Sequence, residues 1–254
     1  MEKPTLESPR LKLERSRELL NQILTEQTES REGIEKQIAK HEHYVTTLEY
    51  DRDGPWQVVR CTEHLPEPPV RWAFLVGDAM HNARSALDHL ACRLVERAGK
   101  QPSRRTAFPI RAKEPKTNRE IETFEAAIKG MSESHKTSIR RLQPYANKSD
   151  EARRLLAVAA LDNADKHQLL LPRASILRDH PEAPPGMFLA HRWNRGVVLA
   201  PGAELFRYKP RGIAGEFVPL VWVTYGDATT DIHELFEIRA YVVGIVESFA
   251  PEFG

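Results

Sequence analysis

Gly77-Asp78-Ala79-Met80-His81-Asn82-Ala83-Arg84-Ser85-Ala86-Leu87-Asp88-His89-Leu90 is the stretch on which the reading of this 254-residue chain turns. Leu75, Ala79, Ala83, Ala86, Leu87, Leu90, Leu94 and Val95 recur at helical spacing through and beyond it, so it forms the middle of a long helix. Pro66, Pro68 and Pro69 precede the helix and Gly99 follows it, which sets its bounds near residues 70–98. On this apolar frame stand Asp78, His81, Asn82, Arg84, Asp88 and His89. Ionisable groups on a helix bound for a core pair with each other, with a neighbouring element or with a ligand. Asp78, His81, Ser85, Asp88 and Cys92 fall along one stripe of an ideal helix, with Arg84 beside it. Arg84 and Asp88, four apart, have the spacing of an intrahelical ion pair.

Before this helix, residues 1–41 form a charged amphipathic helical arm. Its sparse apolar positions include Leu11, Leu13, Leu19, Leu20, Ile23, Leu24, Ile34 and Ile38, and one or two helices interrupted near Gly33 fit them. Two strand candidates, 44–50 and 56–61, flank Asp51-Arg52-Asp53-Gly54-Pro55, whose Asp-Gly step supports a hairpin. After the long helix come two shorter ones, 118–129 and 132–142, and then a third that Ser149 or Asp150 can cap and that runs toward Asp165. From His167 onward the pattern reads as strands at 169–177, 187–193, 196–199, 204–208 and 217–225. Asp231 then caps a final apolar helix over 232–249. This order gives an α+β fold: a bundle-like N-terminal helical region, a small antiparallel β-sheet and a C-terminal helix. The divisions are 1–41, a mainly helical 42–166 carrying the hairpin and the long helix, and 167–254 with the sheet and last helix, the last two sharing one core.

Composition limits the function classes. The net charge is +1, so any nucleic-acid partner has to be met by a local patch. Two cysteines, Cys61 and Cys92, are too few for a disulfide framework. No leader-like or membrane-spanning apolar run is present, and a cytoplasmic, membrane-free protein is expected. The sequence holds no GxGxxG, P-loop, GxSxG or HExxH motif, so nucleotide-cradling and common hydrolase arrangements have no support. His41 and His43 alternate on a charged segment and are expected to face solvent. Trp193, Trp222, Phe217 and Tyr225 read as core of the strand half rather than as a base-stacking platform.

Arg84, four intervening residues and His89 match the Arg-x4–6-His motif, and in this helical setting the chain resembles HEPN ribonucleases. The resemblance implies a homodimer that cleaves RNA without a metal or other cofactor. In it Arg84 contacts the scissile phosphate, His89 transfers the proton, and His81, Asn82 and Asp88 orient them. The chemistry is coherent, because imidazole titrates near neutrality and guanidinium holds phosphate by a fork of donors. A second match, Arg173 to His180, falls in the strand half. Residues five apart on a straight helix lie about 140° apart, so one chain alone does not converge Arg84 and His89.

A second cluster, Asp162-Asn163-Ala164-Asp165-Lys166-His167, marks the passage from helix to strands. Asn163 fits a helix-ending residue, and Lys166 and His167 oppose the negative helix end. Most of residues 70–170 also resembles a set of uncharacterised bacterial proteins. They combine His81-Asn82-x-Arg84-Ser85-Ala86-Leu87-Asp88, Phe108-Pro109-Ile110, Gln143-Pro144-Tyr145 and Asn163-x-Asp165-Lys166-His167, and the resemblance brings no activity with it. Two other readings stand beside the ribonuclease. In one, a non-catalytic interaction or ligand-binding module uses the polar cluster structurally. In the other, a metal-dependent hydrolase draws ligands from Asp78, His81, Asp88, His89, Asp162, Asp165 and His167. Arg104, Arg105, Arg111, Lys113, Lys116 and Arg119 form a basic loop able to guide RNA toward the Arg84 helix.

Overall fold

Eleven small and aliphatic side chains of the long helix, from Ala73 through Met80 and Leu87 to Val95, have no exposed surface. That stripe seats helix α2 (Arg71–Arg97) in the core. Its end is local chemistry. Gly99 takes φ 72°, its N–H donates to Glu96 O at 2.9 Å, and Lys100 N–H donates to Val95 O at 3.2 Å. These are the two bonds of a Schellman stop, with glycine at the left-handed position.

The structure is a computed structural model that describes residues 3–38, 44–62, 68–147, 149, 151–167, 170, 172–176, 188–193, 197–198, 200–210, 222–225 and 230–254. The roles expected of Asp150, His180, His41, His43 and Phe217, and of the side chains of Trp193 and Trp222, lie outside what it describes. The fold class is α+β. The chain divides into two compact units: residues 1–21, 74–169 and 233–254, and residues 22–73 and 170–232.

The first unit is helical. It holds the first part of α1 (Glu7–Ile38), most of α2, then α3 (Asn118–Ala127), α4 (Glu133–Leu142), α5 (Arg153–His167) and α6, which spans Ile232–Ser248 and ends in a short turn Ala250–Glu252. Thr117 starts α3 with a capping box, its hydroxyl accepting from Glu120 N–H while the Glu120 carboxylate accepts from Thr117 N–H. Those bonds hold the Glu120 carboxyl down at about pKa 2. Ser132 caps α4. Leu13, Leu19 and Leu20 of α1 are buried, and Arg239 of α6 donates to Leu13 O at 3.1 Å. The start of α1 therefore packs against the rest of the helical unit.

The second unit is built on strands. The hairpin β1 (Tyr44–Asp51) and β2 (Gly54–Cys61) pairs antiparallel with Asp51 opposite Gly54, and Gly54 turns at φ 102°. Strands β3 (Pro172–Ile176), β4 (Phe188–Trp193), β5 (Val197–Val198), β6 (Glu204–Pro210), β7 (Trp222–Tyr225) and β8 (Thr230–Asp231) complete the set. They form two antiparallel sheets, ordered β1-β2-β6-β4 and β5-β3-β7-β8, where a single small sheet was expected.

Three sequence expectations change. Helix α1 continues through Gly33, because one interior glycine costs only about 1 kcal/mol against a long helical run. Helix α5 runs past Asn163 to His167, so Asn163 is not a terminator. The hairpin joins β6 through pairs such as Val58 with Arg207, so it belongs with the strands and not with the helical region, while the last helix belongs with the helices.

Candidate functional site

Within the helical unit, Asp165 of α5 lies against α2 at Gly77. A Cβ there would lie 2.0 Å from Asp165 Oδ1, so glycine is what admits the carboxylate against the helix backbone. Burial raises the Asp165 pKa above the ordinary carboxylate value, and the negative charges of Asp78 and Asp162 raise it further.

One turn along, the buried Asp162 carboxylate is held from both sides. His81 Nδ1 meets Oδ1 at 2.9 Å and Lys166 Nζ donates to Oδ2 at 2.6 Å. Asp162 is 5% exposed and His81 54%. A carboxylate only accepts, so the bond sets the proton on Nδ1 and leaves Nε2 as the free lone pair. Nε2 has no protein partner among the described residues.

His81, Arg84, Ser85 and Asp88 follow at i, i+3, i+4 and i+7 on the same stripe. Arg84 and Asp88 form the expected pair at 2.8 Å, and together they grip the backbone of one residue of the following loop. Arg84 Nη2 donates to Phe108 O at 3.0 Å, and Phe108 N–H donates to Asp88 Oδ1 at 2.9 Å. Gln143, fully buried, continues the clamp: its amide donates to Pro109 O at 2.8 Å and its oxygen accepts from Arg111 N–H at 3.0 Å. The four sequence motifs of residues 81–88, 108–110, 143–145 and 163–167 thus converge in space.

Three of them, those of residues 81–88, 108–110 and 163–167, border a cavity of about 400 Å³ lined by His81, Arg84, Ser85, Asp88, Arg111, Asp162, Asn163 and Lys166, with Phe108, Ile110 and Phe124 as apolar wall. Two of its three cations are neutralised by Asp88 and Asp162. The third is different. The Arg111 guanidinium takes no hydrogen bond or ion pair among the described residues; its charge is felt at longer range by Glu120, whose carboxylate is engaged in the α3 cap.

The remaining expected residues go elsewhere. His89 turns to α1, where Ser8 Oγ is hydrogen-bonded to its Nδ1. Asn82 also faces α1, accepting from Lys12 at 3.3 Å and donating to Asp78 O at 2.8 Å. His167 closes α5 as a basic last-turn residue. Arg84 and His89 therefore have different partners on different faces of α2. Among the described residues, no three His, Cys, Asp or Glu side chains gather as a metal-binding group, so the ligand set expected from Asp78, His81, Asp88, His89, Asp162, Asp165 and His167 does not assemble there. Both cysteines are free, and no described helix is long and apolar enough to cross a membrane.

Sequence reasoning missed the roles of Gln143 and Gly77. It placed Arg111 only in a basic loop and gave Ser8 no role. Phe108 and Gln143 stood in recognisable tripeptides, which was a usable signal; Ser8 carried none. No protein-family model matches this chain, and no match is found among curated proteins or solved structures.

Proposed function

We propose that the helical unit binds a small anionic ligand in the α2–α5 cavity and that His81, oriented by Asp162, exchanges a proton with it. The observation that carries this reading is the contrast within one cavity. Asp162 is buried and saturated, while the imidazole it orients is half exposed with Nε2 open. A base whose second nitrogen is fixed by a carboxylate is the arrangement that general acid–base catalysis uses. Arg111, a cation without a counter-charge of its own, supports an anionic group on the ligand, a phosphate or a carboxylate. Arg84 is then a positioning residue that holds the loop carrying Phe108 and Arg111.

The test is calorimetric titration and thermal-shift screening with a panel of small phosphates and carboxylates. Wild type is expected to be stabilised by at least one member. Arg111→Ala should weaken that binding by about tenfold or more, in line with loss of a charge-assisted contact. His81→Ala should keep the binding and lose turnover. A panel that leaves wild type unshifted, or binding indifferent to Arg111, overturns the proposal.

The HEPN-type endoribonuclease acting on RNA as a homodimer is a narrower competing proposal. With Arg84 bonded to Asp88 and Phe108 and His89 bonded to Ser8, it requires a second chain to complete the site. An RNA-cleavage assay separates the two: the HEPN proposal expects His89→Ala to abolish cleavage, whereas the cavity proposal assigns the proton to His81.

A further inference from the structure

We propose that Ser8 is an activated nucleophile, with His89 as its general base, in a second site that takes acyl esters. Ser8 sits in the first turn of α1, and its hydroxyl is hydrogen-bonded to His89 Nδ1. Ser8 is half-buried and lines a cavity of about 780 Å³ with Lys3, Pro4, Leu11 and Arg93. Ser8 borders this cavity and His89 does not, so the base does not line the space from which a substrate would reach the nucleophile.

Three features support chemistry over a mere helix-to-helix hydrogen bond. Burial, with the charges of Lys12 and Arg93, lowers the pKa of His89, so its ring is neutral at pH 7 and able to accept the serine proton. In the first turn of α1 Glu7 N–H donates to Thr5 Oγ1, Arg10 N–H donates to Leu6 O and Pro9 has no N–H, which leaves the N–H of Ser8 itself with no acceptor within the helix. Lys3 borders the same cavity and has no ion-pair partner among the described residues. Both are donors for the oxyanion that forms when an ester carbonyl is attacked.

The steps balance with water as the only co-reactant. Ser8 Oγ bonds to the acyl carbon as His89 Nδ1 takes its proton. The ester C–O bond breaks, and His89 returns the proton to the leaving alcohol oxygen. Water then attacks the acyl-serine, its proton passing through His89 back to Ser8 Oγ as the carboxylic acid departs. Pro4 and Leu11 suit a short apolar acyl chain.

The full-length protein is treated with a fluorophosphonate probe, and the adduct is located by peptide mass spectrometry. Labelling at Ser8 is expected, absent in Ser8→Ala. It should be slowed about a hundredfold in His89→Gln, a variant whose amide still accepts the Ser8 hydrogen bond and whose unchanged melting temperature certifies the fold. Hydrolysis of a short p-nitrophenyl ester should be lost in step with labelling. No adduct on Ser8, or labelling of His89→Gln at the wild-type rate, overturns the inference. Neither result bears on the anion cavity, which uses other residues.

Discussion

His81 and His89 lie two turns apart on α2, yet they meet different chemistry. His81 presents one nitrogen to a buried carboxylate and leaves the other open beside Arg111. His89 lies about 80° round the helix, given 100° per residue, and meets a serine hydroxyl with Lys12 and Arg93 nearby. The carboxylate holds the first ring through Nδ1, and a serine hydroxyl occupies Nδ1 of the second. A helix offers several faces, and the neighbour on each face decides what an identical imidazole does.

The largest effect that separates the two faces is expected from Arg84→Ala. It leaves the Asp88 carboxylate without its ion pair and the Phe108 carbonyl without its donor, a cost of about 1–3 kcal/mol. Urea unfolding measures the loss, and anion binding should vanish while Ser8 labelling persists. Arg84→Lys should recover little, since a single ammonium does not reproduce the two-pronged grip. Equal loss of labelling would break the comparison by showing that the faces are not independent.

Gly77→Ala is next. Its methyl would collide with the Asp165 carboxylate, and overpacking of this kind costs about 1–3 kcal/mol, offset by up to about 1 kcal/mol of helix propensity. A net destabilisation near ~1 kcal/mol is expected, with the His81–Asp162 distance disturbed and the Ser8 side unchanged. A stabilised variant would show that α2 and α5 do not meet as closely as this geometry requires.

The smallest effects have opposite signs. Asp165 has a raised pKa in the fold, so its ionised form is a burden at neutral pH that is relieved as pH falls through the folded pKa toward the ordinary carboxylate value. Asp165→Asn should therefore raise the melting temperature at pH 7, with the gain disappearing on acidification. His89 has a lowered pKa, so the unfolded chain takes its proton first and stability declines as pH drops through the ordinary histidine value toward the folded one. His89→Gln should flatten that decline. Thermal melts from pH 8 to 4 read both: the gain of Asp165→Asn should shrink and that of His89→Gln should grow as pH falls, and the same pH trend in the two variants would contradict the assignment.

Much of the helical frame was legible because its signals are local. The Gly99 stop of α2 and the Asp53-Gly54 hairpin each lie within a few residues of what they determine. The Arg84–Asp88 pair was legible for the same reason. The course of α1 through Gly33 was not, since a glycine's modest cost is decided by the rest of the helix. Nor was the pairing of β2 with β6, because strand alternation tells which face is buried and not which distant strand lies alongside.

By itself the sequence determined the α+β character, the extent of α2 and the polar stripe along it, all consequences of periodicity and capping within a few turns. Only the tertiary structure decided that the stripe divides. Asp162 and the 108–111 loop take His81 and Arg84, and Ser8 takes His89. The reason is geometric: successive side chains leave a helix 100° apart, and which element each one meets depends on long-range packing that no local spacing encodes.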